Sequence, residues 1–226
     1  LNVTGNAFIS SNAVVTGNTD VQSELNVTGN AFVSSNLNAQ SELNVTGNAF
    51  VSSNLNAQSE LNVTGNAFMS SNVVVTGNTD VQSELNVTGN AFVSSNLNAQ
   101  SELNVTGNAF VSSNVVVTGN TDVQSELNVT GNAFISSNVV VTGNTDVQSE
   151  LNVTGNAFVS SNLNAQSELN VTGNAFISSN VVVTGNVDVQ TNLNVTGNAY
   201  ATEYYGDGGL LSNVNLQVVS DHGNTT

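Results

Sequence analysis

Lysine and arginine are absent from this chain of 226 residues, and so are cysteine, proline and tryptophan. The 16 acidic residues therefore lack any strongly basic side chain to pair with, and the formal net charge is -16. Phosphate backbones would be repelled, which argues against nucleic-acid binding. The lack of cysteine removes disulfides, thiolate chemistry and Cys-based metal sites. The one histidine, His222, lies in a polar tail and reads as a solvated loop residue. No triad, metal cluster or phosphate-cradling loop can be assembled around it. Carboxylate pairs can cleave glycosides, but identical carboxylates repeated along a chain do not suggest a single tuned pair. The expectation is a protein that is no enzyme and holds no cofactor. No apolar run approaches the length of a membrane span and no signal peptide is evident, so membrane insertion is not expected. The chain opens at Leu1 already inside a repeat and reads as a segment of a longer protein.

What is present is order. Charged residues make up 7% and hydrophobic ones 38%, and a polar, Ser- and Asn-rich chain of this kind is disordered by default. Its arrangement overturns that default. Written in sixes from Leu1, the sequence runs LNVTGN, AFISSN, AVVTGN, TDVQSE and then LNVTGN again, and the frame continues to Tyr204 as 34 hexads. Units of 18 residues (LNVTGN-AFVSSN-LNAQSE) mix with units of 24, in which a VVVTGN hexad enters and LNAQSE becomes TDVQSE. The first and third positions of each hexad are mostly apolar, the signature of a short strand with one buried face. The Gly-Asn or Ser-Asn that follows suits a corner, through residues that tolerate unusual backbone dihedrals. A period of six keeps no helical face apolar. One hexad cannot bury its apolar side, whereas stacked coils can, with like residues aligned in ladders. The expected fold is an all-β solenoid of hexapeptide repeats over residues 1–204, with 205–226 a non-repetitive cap or the start of the next module.

Started at Val3, the hexad reads V-T-G-N-A-F and resembles the hexapeptide pattern of left-handed β-helices. That resemblance implies a triangular coil of three hexads. Any multiple of six keeps the corners in register, so 18- and 24-residue units can mix. At about 4.8 Å per coil the solenoid would be about 55 Å long. The alternative is a homotrimeric β-helical fibre in which each of three chains gives one face. A third arrangement, with the extra hexad looped out, is rejected because VVVTGN is as apolar as its neighbours.

The second position should point outward. It holds Phe8, Phe32, Phe50, Phe68, Phe92, Phe110, Phe134, Phe158 and Phe176, read either as aromatic ladders covering the strands or as an adhesive contact strip. Acidic residues recur as Asp20, Asp80, Asp122 and Asp146 and as Glu24, Glu42, Glu60 and Glu84. They keep a fibre soluble and discourage edge pairing; the weaker alternative is a divalent cation between close carboxylates. N-x-Thr sequons fall at Asn2, Asn26, Asn44, Asn62, Asn86, Asn104, Asn128, Asn152, Asn170 and Asn194, with one more at Asn224. They are candidate glycosylation sites, although the copying of one repeat also explains them. Lone Thr residues beside Gly give no T-x-T rows, so an ice-binding solenoid is a remote alternative.

After Asn198 the hexads decay into AYATEYYGDGGLLSNVNLQVVSDHGNTT, where Gly206, Gly208 and Gly209 around Asp207 suggest a turn closing the array. The stretch resembles the G-D-G-x-L-x-x-N element of repetitive tail-fibre-like and stalk-like surface proteins of algal viruses, phages and related environmental sequences. In those, V-T-G-N-type repeats lead into the same element. The specific likeness covers about the last 30 residues. It implies a rod on a virion or cell surface, often trimeric, with any receptor-binding tip elsewhere. The functional expectation is thus an extracellular structural fibre or stalk, a spacer or self-assembling filament joined end to end or laterally. A virion tail-fibre or adhesin shaft is the alternative.

Overall fold

Each hexad makes one short strand because its first three residues point inward, outward and inward. Leu25–Val27 and Leu43–Val45 are buried at both ends and half-buried in the middle. In a computed structural model of the chain, which describes residues 1–207, such strands stack in parallel into about 11 turns of a β-solenoid. No helix occurs among the described residues.

Every strand pairs with those three hexads away. Leu43 lies opposite Leu25 and Leu61, and Ala49 lies opposite Ala31 and Ala67. Three parallel sheets result. The first begins Asn2–Val3, Thr19–Val21, Leu37–Ala39. The second begins Ala7–Ile9, Leu25–Val27, Leu43–Val45. The third begins Ala13–Val15, Ala31–Val33, Ala49–Val51. One chain supplies all three strands of each coil, the single-chain arrangement. The VVVTGN hexads take their place in the coil as Val73–Val75, Val115–Val117, Val139–Val141 and Val181–Val183, each with its first and third valines buried. None is looped out.

The core is a column of Leu, Val and Ala; Leu37, Leu43, Leu55 and Leu61 have no exposed surface. Each such leucine contributes roughly 2 kcal/mol of apolar burial. Four threonines, Thr19, Thr79, Thr121 and Thr145, enter the same column, and their hydroxyls find no partner.

The corners work differently from expectation. No described glycine of the repeat has a positive φ, so unusual dihedrals are not what selects glycine. Close stacking is. A Cβ on Gly155 would lie 2.6 Å from Asn138 Oδ1 and 2.7 Å from the Ser137 carbonyl oxygen one coil below. Asparagine at position six completes the corner. The Asn48 N–H donates to Asn30 Oδ1 at 2.7 Å, and the Asn66 N–H to Asn48 Oδ1 at 2.8 Å. Backbone groups that a turn would leave unpaired are thereby satisfied.

The eighteen-residue spacing holds until Tyr200 sits opposite Val182. It then shortens by one: Glu203 pairs with Asn186 and Tyr204 with Val187, within Glu203–Asp207 against Asn186–Val195. The hexad frame expected to run through Tyr204 thus slips after Tyr200. The cause is local: three residues, Ala201 to Glu203, separate Tyr200 from Tyr204, where four separate Val182 from Val187 one coil below. Thr202 ties the shortened corner down, its N–H donating to the Gly185 carbonyl at 3.0 Å and its hydroxyl to the Thr184 carbonyl at 2.5 Å. Gly206 and Asp207 belong to the strand Glu203–Asp207. The rest of the glycine-rich element, the tail with His222 and the Asn224 sequon lie outside the described residues.

Candidate functional site: the outward ladders

With the core committed to packing, any specific function must be carried by what points outward. Stacking sorts the second position into columns along each face, and each column has its own chemistry.

On the second face Asn26, Asn44 and Asn62 form an amide ladder. The Asn44 Nδ2 donates to Asn26 Oδ1 at 2.8 Å, and the Asn62 Nδ2 to Asn44 Oδ1 at 2.9 Å. Each Nδ2 also reaches the carboxylate two residues earlier: Glu24 at 3.3 Å, Glu42 at 3.3 Å and Glu60 at 3.4 Å. Asn104 donates to Asn86, and Asn170 to Asn152, at 2.9 Å. The remaining sequons have other neighbours. Asn2 faces Asp20, Asn128 lies between Phe110 and Asp146, and Asn194 stacks on Phe176. The nitrogen that would carry a glycan is therefore already a donor in most of these sites, and seven of the ten sequon side chains are held in amide ladders. This Asn–Glu bridge was not foreseen from the sequence, though the recurring Ser-Glu-Leu-Asn run places carboxylate and amide on one outward side.

Glu24, Glu42 and Glu60 stack along the corner between the first and second faces, as do Glu150 and Glu168 higher up. Glu84 and Glu102 occupy the corner between the second and third faces. Asp20, Asp80, Asp122 and Asp146 stand singly, flanked along their faces by Asn, Val or both. Among the described residues no three acidic or His side chains converge as a metal ion would require.

The aromatic residues form interrupted ladders. Phe32, Phe50 and Phe68 stack on the third face, with ring centroids 4.9 and 5.1 Å apart. Phe92 and Phe110 stack at 5.1 Å on the first face, and Phe158 and Phe176 at 5.1 Å back on the third. Phe8 and Phe134 stand on the second face without an aromatic neighbour above or below. Outward valines adjoin the ladders: Val14 below Phe32, Val74 below Phe92, Val116 below Phe134, Val140 below Phe158, and Val182 below Tyr200. In the sequence these valines carry no signal beyond VVVTGN being as apolar as its neighbours. In the rod's interior the outward valines and the lowest ring of each ladder remain about two-fifths exposed, such as Val74 at 41% and Phe92 at 37%, while Phe50, Phe68, Phe110 and Phe176 are half-buried.

Where short Asn and Gln side chains replace the rings, the surface dips. A shallow groove of about 450 Å³ runs over the first face between Asp20 and Val74, lined by Asn38, Gln40, Asn56 and Gln58. It offers amides, the Thr76 hydroxyl and the Asp20 carboxylate. At the last rung the Tyr205 hydroxyl donates to Glu203, and this bond, then the charge of Glu203, pushes the phenol pKa above 10.0. Burial raises Tyr204 likewise.

Compared with protein-family models, with curated proteins and with solved structures, the chain matches none of them.

Proposed function

We propose that the chain is a rigid structural segment of an extracellular fibre or stalk, a spacer or filament element without catalysis of its own. The uninterrupted coil supports this reading: every described strand from Thr19–Val21 to Val181–Val183 is paired on both sides. Such a ladder resists bending and extension because deformation breaks several backbone bonds per coil at once. A chain with 16 carboxylates and no Lys or Arg favours solubility of such a rod.

Electron microscopy of the purified chain, with mass per unit length, tests the proposal. About 11 turns at about 4.8 Å each give a straight rod about 53 Å long with one chain per cross-section. A flexible or globular particle would overturn it. The second reading, a virion tail-fibre or adhesin shaft, draws support from the likeness of the G-D-G-x-L-x-x-N element, read at Gly206 to Asn213. Immunogold labelling of virions and cell surfaces from the source separates it from a free fibril.

A further inference from the structure

The outward apolar column does not run straight. It occupies the third face from Val14 to Phe68, moves to the first face at Val74, to the second at Val116, and returns to the third at Val140. Each move coincides with a VVVTGN hexad, because a unit of 24 residues overshoots the eighteen-residue coil by one side. From Val14 to Val140 is 126 residues, seven coils of eighteen, so the stripe completes one circuit of the rod in roughly 34 Å.

Charge winds with it. While the stripe is on the third face, the stacked Glu24, Glu42 and Glu60 occupy the opposite corner; while it is on the first, Glu84 and Glu102 do so. Glu126 stands opposite the second-face stretch, and Glu150 and Glu168 opposite the third-face return. Both corners that flank the stripe carry Asn at position six throughout its stretch from Val14 to Phe176.

We infer that this winding, charge-free stripe is the surface through which copies of the chain pack side by side. A chain of net charge -16 repels its copies least where the glutamates are turned away, and the stripe is that place, with Asp122 below Val140 the one carboxylate adjoining its column. A cationic partner would prefer the glutamate corners. Area points the same way. A four-coil stretch is about 20 Å tall and three residues wide, roughly 200 Å², against about 800 Å² per partner in a stable pairwise complex. No single patch holds a partner by itself. A straight copy has the same rise per coil, so its rungs stay in step with these along the whole rod. With patches on three sides at staggered heights, each rod meets several neighbours, and the assembly is a bundle held by many weak contacts.

The test uses the whole chain, produced in bacteria, with sedimentation and small-angle scattering from low salt to 0.5 M NaCl. Wild-type rods should bundle above a threshold concentration that falls as salt screens the carboxylates. Changing Phe32, Phe50, Phe68, Phe158 and Phe176 to Asn, the residue the same columns carry elsewhere, should raise that threshold about tenfold or more. The circular dichroism and single-rod scattering should stay unchanged. A second variant lacking residues 73–78, 115–120 and 139–144 holds the stripe on one face up to Phe176, and should give two-rod pairs in place of open bundles. Wild-type rods that stay single at every salt, or aromatic variants that bundle like wild type, would overturn the inference. Single rods that instead co-sediment with phosphatidylcholine vesicles would overturn a second copy as the occupant.

Discussion

At the scale of the residue, the four buried threonines are the weak points of the column. The Thr79 side chain is fully buried between Leu61 and Leu97, and its hydroxyl has no partner. A buried hydroxyl without a hydrogen bond costs on the order of 1 kcal/mol or more. Thr79→Val keeps the shape and removes that cost, and Val187 already occupies the equivalent place in VDVQTN, fully buried. Thr79→Val should therefore stabilise the rod by about 1 kcal/mol, and the same change at Thr19, Thr121 and Thr145 should add to it, as a calorimetric melt would show. Tyr205 gives a second prediction. The folded state holds the Tyr205 proton more tightly than the unfolded chain does, so its contribution is complete below pH 10.0 and lost as pH rises through the higher folded value. Glu203→Gln should return the phenol towards its ordinary value in an ultraviolet titration.

At the scale of the element, a strand of three residues between corners tolerates the loss of a whole hexad but not of one residue. Deleting Val73 to Asn78 moves every later strand to the preceding face with the same side inward. Deleting Ser53 alone puts the following strand out of step with the strands above and below it. The hexad deletion should leave a cooperative melt and a β-rich spectrum, while the single deletion should broaden or abolish the melt. The inward and outward positions of these strands were legible in the sequence because a period of six with apolar first and third residues admits few packings. Why Gly155 is glycine was not legible, since contact between successive corners depends on coordinates one coil away. The Asn44–Glu42 contact was hidden for a similar reason: a sequon and a solubilising charge each have a sufficient meaning alone. The one-residue shortening at Glu203 was masked because Tyr204 happens to complete a block of six.

At the scale of the molecule, like charges accumulate along one object with no internal cation. Raising ionic strength from about 0.01 M to 0.15 M shortens the screening length from about 30 Å to about 8 Å. The melting temperature of the rod should rise over that range and then level off, a trend opposite to that of proteins held by ion pairs. Scanning calorimetry in a salt series checks it; a flat or falling curve would mean that repulsion between stacked glutamates such as Glu42 and Glu60 is already relieved by their amide neighbours.

The interchangeability of the hexads also bears on how such a gene can change. Its near-identical units invite unequal recombination and replication slippage, and exchanges between aligned copies add or remove whole hexads. Every such product can close its coils around an apolar core. Offspring would differ in length, and those that gain or lose a single VVVTGN hexad would also differ in where the apolar stripe lies beyond that point. A lineage could thus tune reach and neighbour geometry by copy number alone, without a new side chain arising by point mutation.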